Sequence, residues 1–228
     1  MYKIDKRGGG LGAFSRNIPI FVLIEDMEGN RGMRQGCAMY DGLSQSDKDA
    51  ILAKHNELRS KVANGKQSGQ PPAANMKKMV WDEELAKEAQ KIASTCNYGH
   101  KAVYINGVKA GQNIAIQYNS QSVEKSELTS VWEARVLRWY DEVTRNNFDP
   151  NNIYPFVYNP DTGHYTQVVW AESSKVGCGA AYYKKQGQYN AYLVCNYLEP
   201  ANMRDDAMYK VGKACSTCSS SCSNGLCA

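Results

Sequence analysis

A chain of 228 residues with a net charge of +4 has length for one domain with a buried core, plus appendages. Its Lys and Arg are dispersed among Asp and Glu, with no basic stripe interleaved with aromatics, which argues against nucleic-acid binding. No apolar run reaches the length of a membrane span, and 15 Tyr against 4 Phe point to a surface or groove lined with hydroxyl-tipped rings.

Residues 1–36 stand apart. Lys3, Lys6 and Arg7 precede a glycine run from Gly8 to Gly12 and an apolar stretch from Ile18 to Ile24. Basic followed by apolar imitates a signal peptide. Yet the stretch contains Pro19 and runs into Glu25 and Asp26 rather than small cleavage-site residues. The glycines follow no strand, so a phosphate loop is disfavoured. The expectation is an N-terminal extension, either disordered or an atypical signal region.

After Cys37 the chain becomes periodic. Ser44 or Ser46 can cap a helix that begins near Asp47, with Ile51, His55, Leu58 and Val62 on one apolar face. His55 on that stripe reads as a core histidine, and Asn56 and Arg59 as ties to neighbouring backbone. Pro71-Pro72 closes a polar loop. A second helix from about Asp82 buries Leu85, Ala89, Ile92, Ala93 and Cys96, small residues suited to close approach. Gly99 is its expected left-handed terminator, leaving His100 exposed on the way out.

A looser segment containing Gly111-Gln112-Asn113 leads to a third helix from about Val123 to Val143. Its apolar face is Leu128, Val131, Trp132, Val136, Trp139, Tyr140 and Val143, with Glu142 at the edge. An irregular loop over 146–161 follows. Three strands are then expected, Tyr165–Trp170, Val176–Tyr183 and Tyr189–Leu198, the last two joined by a hairpin turn. In the first of these, Gly163 is the turn residue and His164 stands at the strand's mouth. Helices first and strands last give an α+β fold, helices packed on a mostly antiparallel sheet.

Eight cysteines indicate a disulfide framework made in an oxidising compartment. Cys178 and Cys195 fall on the paired strands, where a cross-strand bridge is geometrically reasonable. Cys215, Cys218, Cys222 and Cys227 can be read as a zinc site or as crosslinked loops. Close spacing within a Ser/Asn/Gly-rich tail favours the loops.

Two blocks, Gly163-His164-Tyr165-Thr166-Gln167-Val168-Val169-Trp170 and Tyr192 to Asn202, resemble the signature segments of the CAP superfamily: cysteine-rich secretory proteins, venom antigen 5 and pathogenesis-related 1 proteins. His55-Asn56-Glu57-Leu58-Arg59 is similar to its first-helix motif and Gly111-Gln112-Asn113 to its central one. Cys215 to Cys227 resembles the hinge of the cysteine-rich secretory proteins, without the ion-channel regulatory domain that follows it in longer members.

The resemblance implies a disulfide-stabilised three-layer α-β-α sandwich over residues 37–212 and a cysteine-rich hinge-like tail over 213–228. The implied bridges are Cys37–Cys96, Cys178–Cys195, Cys215–Cys222 and Cys218–Cys227. It also implies a cleft holding His100, His164, Glu142 and the residue before Asn113, which is Gln112 here rather than glutamate. Two imidazoles and a carboxylate can hold Zn²⁺ with water, although no cofactor is required. The functional expectation is a secreted, extracellular, monomeric and non-enzymatic binding module. Its partners would be a sterol, fatty acid or eicosanoid, or a host or target protein, as in venom- or saliva-type allergens. The alternative is a metal-dependent hydrolase or protease using His100, Glu142 and His164; no oxyanion stabiliser, Gly-x-Ser-x-Gly elbow or His-Glu-x-x-His helix accompanies it.

Overall fold

The computed structural model describes residues 37–219 and 221–228, so the reading of residues 1–36 lies outside the described residues. Strand β1 is Tyr40–Asp41, and helix α1 is Gln45–Ala63. Ser44 caps α1, accepting from the Asp47 N–H while the Asp47 carboxylate takes the Ser44 N–H. Then come β2 (Val80–Trp81), α2 (Glu83–Ala93), β3 (Tyr104–Ile105), β4 (Val108–Lys109) and β5 (Gly111–Asn119). Helices α3 (Leu128–Tyr140), α4 (Glu142–Arg145) and α5 (Gly163–Val168) follow. The chain closes with β6 (Lys175–Lys185), β7 (Gln188–Leu198), β8 (Cys222–Ser223) and β9 (Leu226–Cys227).

The central sheet has the order β1-β6-β7-β5, and β2 joins the start of β6 in parallel; the other pairings are antiparallel. Alternation along β7 builds a core on each face. Ala191, Leu193, Cys195 and Tyr197 meet α1, α3 and α5, while Tyr192 and Val194 meet α2. This is the expected α-β-α sandwich. Close approach of α2 is enforced at β6, where a Cβ on Gly177 would lie 2.2 Å from the Ala86 nitrogen. All four disulfides pair as the resemblance implied. The β8–β9 hairpin lies against α1, with Leu226 buried in the larger core and the Asn224 carbonyl accepting from Ser60 Oγ and Asn64 Nδ2.

Four expectations need correction. Gly163–Trp170 does not begin with a strand: Gly163–Val168 is helical. The Glu142 carboxylate accepts the N–H groups of His164 and Tyr165 at 3.0 and 3.1 Å, capping α5 from another segment and outweighing the β preference of its aromatic and β-branched residues. The missing third strand is β5, whose Ile114 and Ile116 lie in or against the α2-side core. The third helix is shorter than expected. It is preceded by a 3₁₀ turn at Lys125–Glu127 and interrupted at Asp141 before α4. Finally, the left-handed residue that turns the chain after α2 is Cys96 (φ 49°), held by its bridge to Cys37, and comes three residues before Gly99.

Candidate functional site

The sequence-derived residues gather around β5, at one edge of the sheet. Gln112 and Asn113 are consecutive there, so their side chains leave on opposite faces. On the α2 side, the Gln112 amide clamps the backbone of Lys101. Its Oε1 accepts the Lys101 N–H, and its Nε2 donates to the Lys101 carbonyl, both at 3.1 Å. Nε2 also donates to Asn196 Oδ1 at 2.9 Å, and Asn196 in turn donates to the Leu85 carbonyl. With the amide orientation so fixed, Oε1 is the atom facing His100 Nδ1 at 3.0 Å. That nitrogen must carry the proton, which leaves the lone pair on Nε2.

On the other face, Asn113 donates to the His164 carbonyl at 3.1 Å. The His164 ring stacks on Trp139 at 6.1 Å, and its Nδ1 donates to Glu142 Oε1 at 2.7 Å. The second oxygen of Glu142 takes the two α5 amides described above. One buried carboxylate thus receives three N–H donors and, as Gln112 does at His100, places a proton on Nδ1, so that the neutral ring presents Nε2 as its acceptor.

A cavity of about 670 Å³ opens beside His100. Ala102, Val108, Ala110, Pro200, Ala201 and Met203 give it mainly apolar walls, and Gln112, Gln167 and Asn202 contribute polar groups. Gly111 forms part of this wall because a Cβ there would fall 2.0 Å from Gln167 Oε1. Glu142 and His164 do not line it. Asn202 connects the two regions, donating to the Gly163 carbonyl and accepting from Thr166 Oγ1. Among the described residues, the one group of three His, Cys, Asp or Glu ligand atoms within 4.8 Å of one another is Cys215, Cys218 and Cys227. All three are in disulfides, so the tail is crosslinked loops.

His55 is the core histidine expected, with Nδ1 on the Ile51 carbonyl and Nε2 on the Tyr197 hydroxyl; burial pulls it down to about 4. Arg59 is wholly buried and directs its five N–H groups at the carbonyls of Lys77, Val168, Trp170, Ala171 and Ser173, one of them shared between two acceptors. Sequence reasoning gave no role to Asn113, Gln167, Asn196 or Asn202. The available signal was the presence of amides within otherwise apolar or structured segments, where a buried amide needs named partners.

A disulfide-stapled α-β-α sandwich with two oriented imidazoles defines the class. The CAP family model, described as the cysteine-rich secretory protein family, matches residues 52–197, and the chain belongs to that family. It is 39% identical to Venom allergen 5 of Vespula vidua over 177 residues, 74% of this chain and 82% of that protein. To CRISP/Allergen/PR-1 of Trittame loki it is 40% identical over 185 residues, 78% of this chain but 44% of the relative, so it spans less than half that protein's length. Salivary antigen-5 of Dipetalogaster maximus is 39% identical over 158 residues, 67% of this chain and 61% of that protein. Among solved structures, NaASP2 with Zn²⁺ is similar at a TM-score of 0.66 and 30% identity, covering 85% of this chain and 100% of that one.

Proposed function

We propose that this chain is a secreted, non-enzymatic binding module that captures a small amphipathic molecule of the sterol, fatty acid or eicosanoid class in the cavity beside His100. The observation that carries the reading is the cavity itself: about 670 Å³, with largely apolar walls and a few fixed polar groups at His100, Gln112 and Gln167. Likeness to venom and salivary antigens supports secretion. No helix among the described residues is long and apolar enough to cross a membrane.

A divalent cation is a separate proposal, because His164 does not line the cavity and, among the described residues, no group of three ligand atoms converges at these side chains. His100 and His164 would offer it Nε2, with Gln112 and Glu142 orienting the rings rather than ligating, and water completing the set. Two protein ligands are a minimal set, so affinity for Zn²⁺ is expected to be modest. When bound, the cation offers a Lewis-acidic point to a carboxylate or hydroxyl headgroup. The zinc in NaASP2 supports this part of the reading. The hydrolase alternative is disfavoured because the Glu142 carboxylate is buried and three of its roughly four acceptor positions are filled by N–H donors, which leaves little of it to meet a water.

The test is titration with a fluorescent fatty acid and with labelled cholesterol, before and after Met203→Trp fills the mouth of the cavity. Saturable binding lost in the variant is expected; the absence of binding by either probe would overturn the carrier reading. Calorimetric zinc titration of the His100→Ala/His164→Ala double variant tests the cation separately. Heat of binding that survives both substitutions rejects the proposed ligands.

A further inference from the structure

A second concavity lies at the opposite end of β5, beyond the last turn of α2. Cross-strand registry places Tyr183, Asn190 and Tyr118 in one row on β6, β7 and β5, with side chains on the face that α2 covers elsewhere. Helix α2 ends at Ala93, and the left-handed turn at Cys96 carries the chain aside, so this row forms the floor of an open pocket of about 210 Å³. Tyr98 makes one wall, its ring held edge-on against Tyr192 at 5.6 Å, and Gln188 and Lys185 of the β6–β7 hairpin stand at the rim.

Two features mark the pocket as more than a packing gap. Tyr98 and Tyr118 are 50% and 59% exposed, presenting aromatic surface to solvent where a core would have covered it. Asn190 is 97% buried, and its Nδ2 is spent on the carbonyls of Gln188 and Tyr183. No protein group among the described residues bonds its Oδ1 or the Tyr183 hydroxyl, and neither atom is sealed from solvent, so both are open to the pocket that their residues line. Polar atoms that only water reaches, on a pocket floor between exposed rings, are matched by a ligand with both an apolar face and hydroxyls.

We propose that this pocket binds a single neutral sugar ring. A pyranose offers a flat C–H face to Tyr98 or Tyr118, and hydroxyls that donate to Asn190 Oδ1 and accept from the phenol and amide groups around it. A quaternary ammonium group would also suit aromatic rings. It is disfavoured because no carboxylate lines the pocket and Lys185 stands at its edge. Burial, with the Tyr118 phenol nearby, raises Tyr98 and Tyr183 above the ordinary tyrosine range, keeping both hydroxyls protonated donors at neutral pH.

Saturation-transfer NMR with N-acetylglucosamine, methyl α-mannoside, methyl β-galactoside and choline chloride tests the proposal on the whole protein. At least one sugar is expected to bind saturably. Its affinity should fall at least tenfold in Tyr118→Ala or Tyr98→Ala, exposed positions whose loss leaves the core intact, and should be unchanged in His100→Ala. Failure of all three sugars, binding of choline alone, or sugar binding unaltered in both tyrosine variants overturns it. Because the readout does not involve the His100 cavity, its outcome is independent of the carrier reading.

Discussion

Glu142 holds His164 at two points: Oε1 receives the ring Nδ1–H at 2.7 Å, and Oε2 receives the backbone N–H at 3.0 Å. One carboxylate therefore sets the start of α5 and the orientation of the ring that α5 presents. Replacing it with an amide separates these roles. In Glu142→Gln the oxygen can still cap the helix, but the amide nitrogen now faces Nδ1 and forces the proton to Nε2. Zinc affinity is expected to fall about 10- to 100-fold with little change in melting temperature. Calorimetry and the ¹⁵N shifts of His164 report it; an unaltered affinity would mean that Glu142 does not orient the ring for a cation.

His55 makes stability depend on pH. Its ordinary value of 6.5 is lowered to about 4 by burial, so the folded protein keeps it neutral while the unfolded chain takes up a proton below 6.5. Its contribution is complete above pH 6.5 and is lost as pH falls toward 4, at about 1.4 kcal/mol per pH unit and about 3 kcal/mol in all. Urea unfolding at pH 7 and pH 4.5 should show a smaller acid loss in His55→Gln than in the parent. Equal losses would refute the assignment.

Arg59 ties α1 to five carbonyls in two other segments. Burial pulls its guanidinium down to about 9, which leaves it charged at neutral pH. Arg59→Met strands those acceptors and should cost about 3–5 kcal/mol. Arg59→Lys should recover only part, since an ammonium lacks the planar fork that reaches both segments. Chemical denaturation of the two variants decides; a loss below about 1 kcal/mol in Arg59→Met would show that water replaces the guanidinium.

The tail is expected to behave as part of the core. Leu226 is 4% exposed, and the adjacent Cys227 exchanges backbone hydrogen bonds with Met76 and Lys78. Leu226→Ala should cost about 2 kcal/mol or more, against less than about 0.5 kcal/mol for a residue in a free tether. Differential scanning calorimetry distinguishes the two.

Much of the fold was legible because it depends on local patterning. The stripe Ile51, His55, Leu58, Val62 marked α1, and the apolar runs about Cys178 and Cys195 marked the β6–β7 hairpin, since periodicity is a property of the chain itself. The errors arose where distant groups decide. Gly163–Val168 carries strand-like residues and becomes a helix because Glu142 supplies its cap from 21 positions before its first residue. β5 looked irregular because its amides point into a site rather than a core.

Sequence alone determined the cysteine content and the principal helices, because sulfur content and periodicity are written along the chain, and its resemblance to CAP motifs brought forward the candidates His100, Gln112, Glu142 and His164. Only the tertiary structure decided what those candidates do. Hydrogen-bond capacity is finite: once Lys101 occupies the Gln112 amide and α5 occupies the Glu142 carboxylate, each side chain is left to orient a histidine. No spacing of residues in one dimension could show which acceptors were already taken.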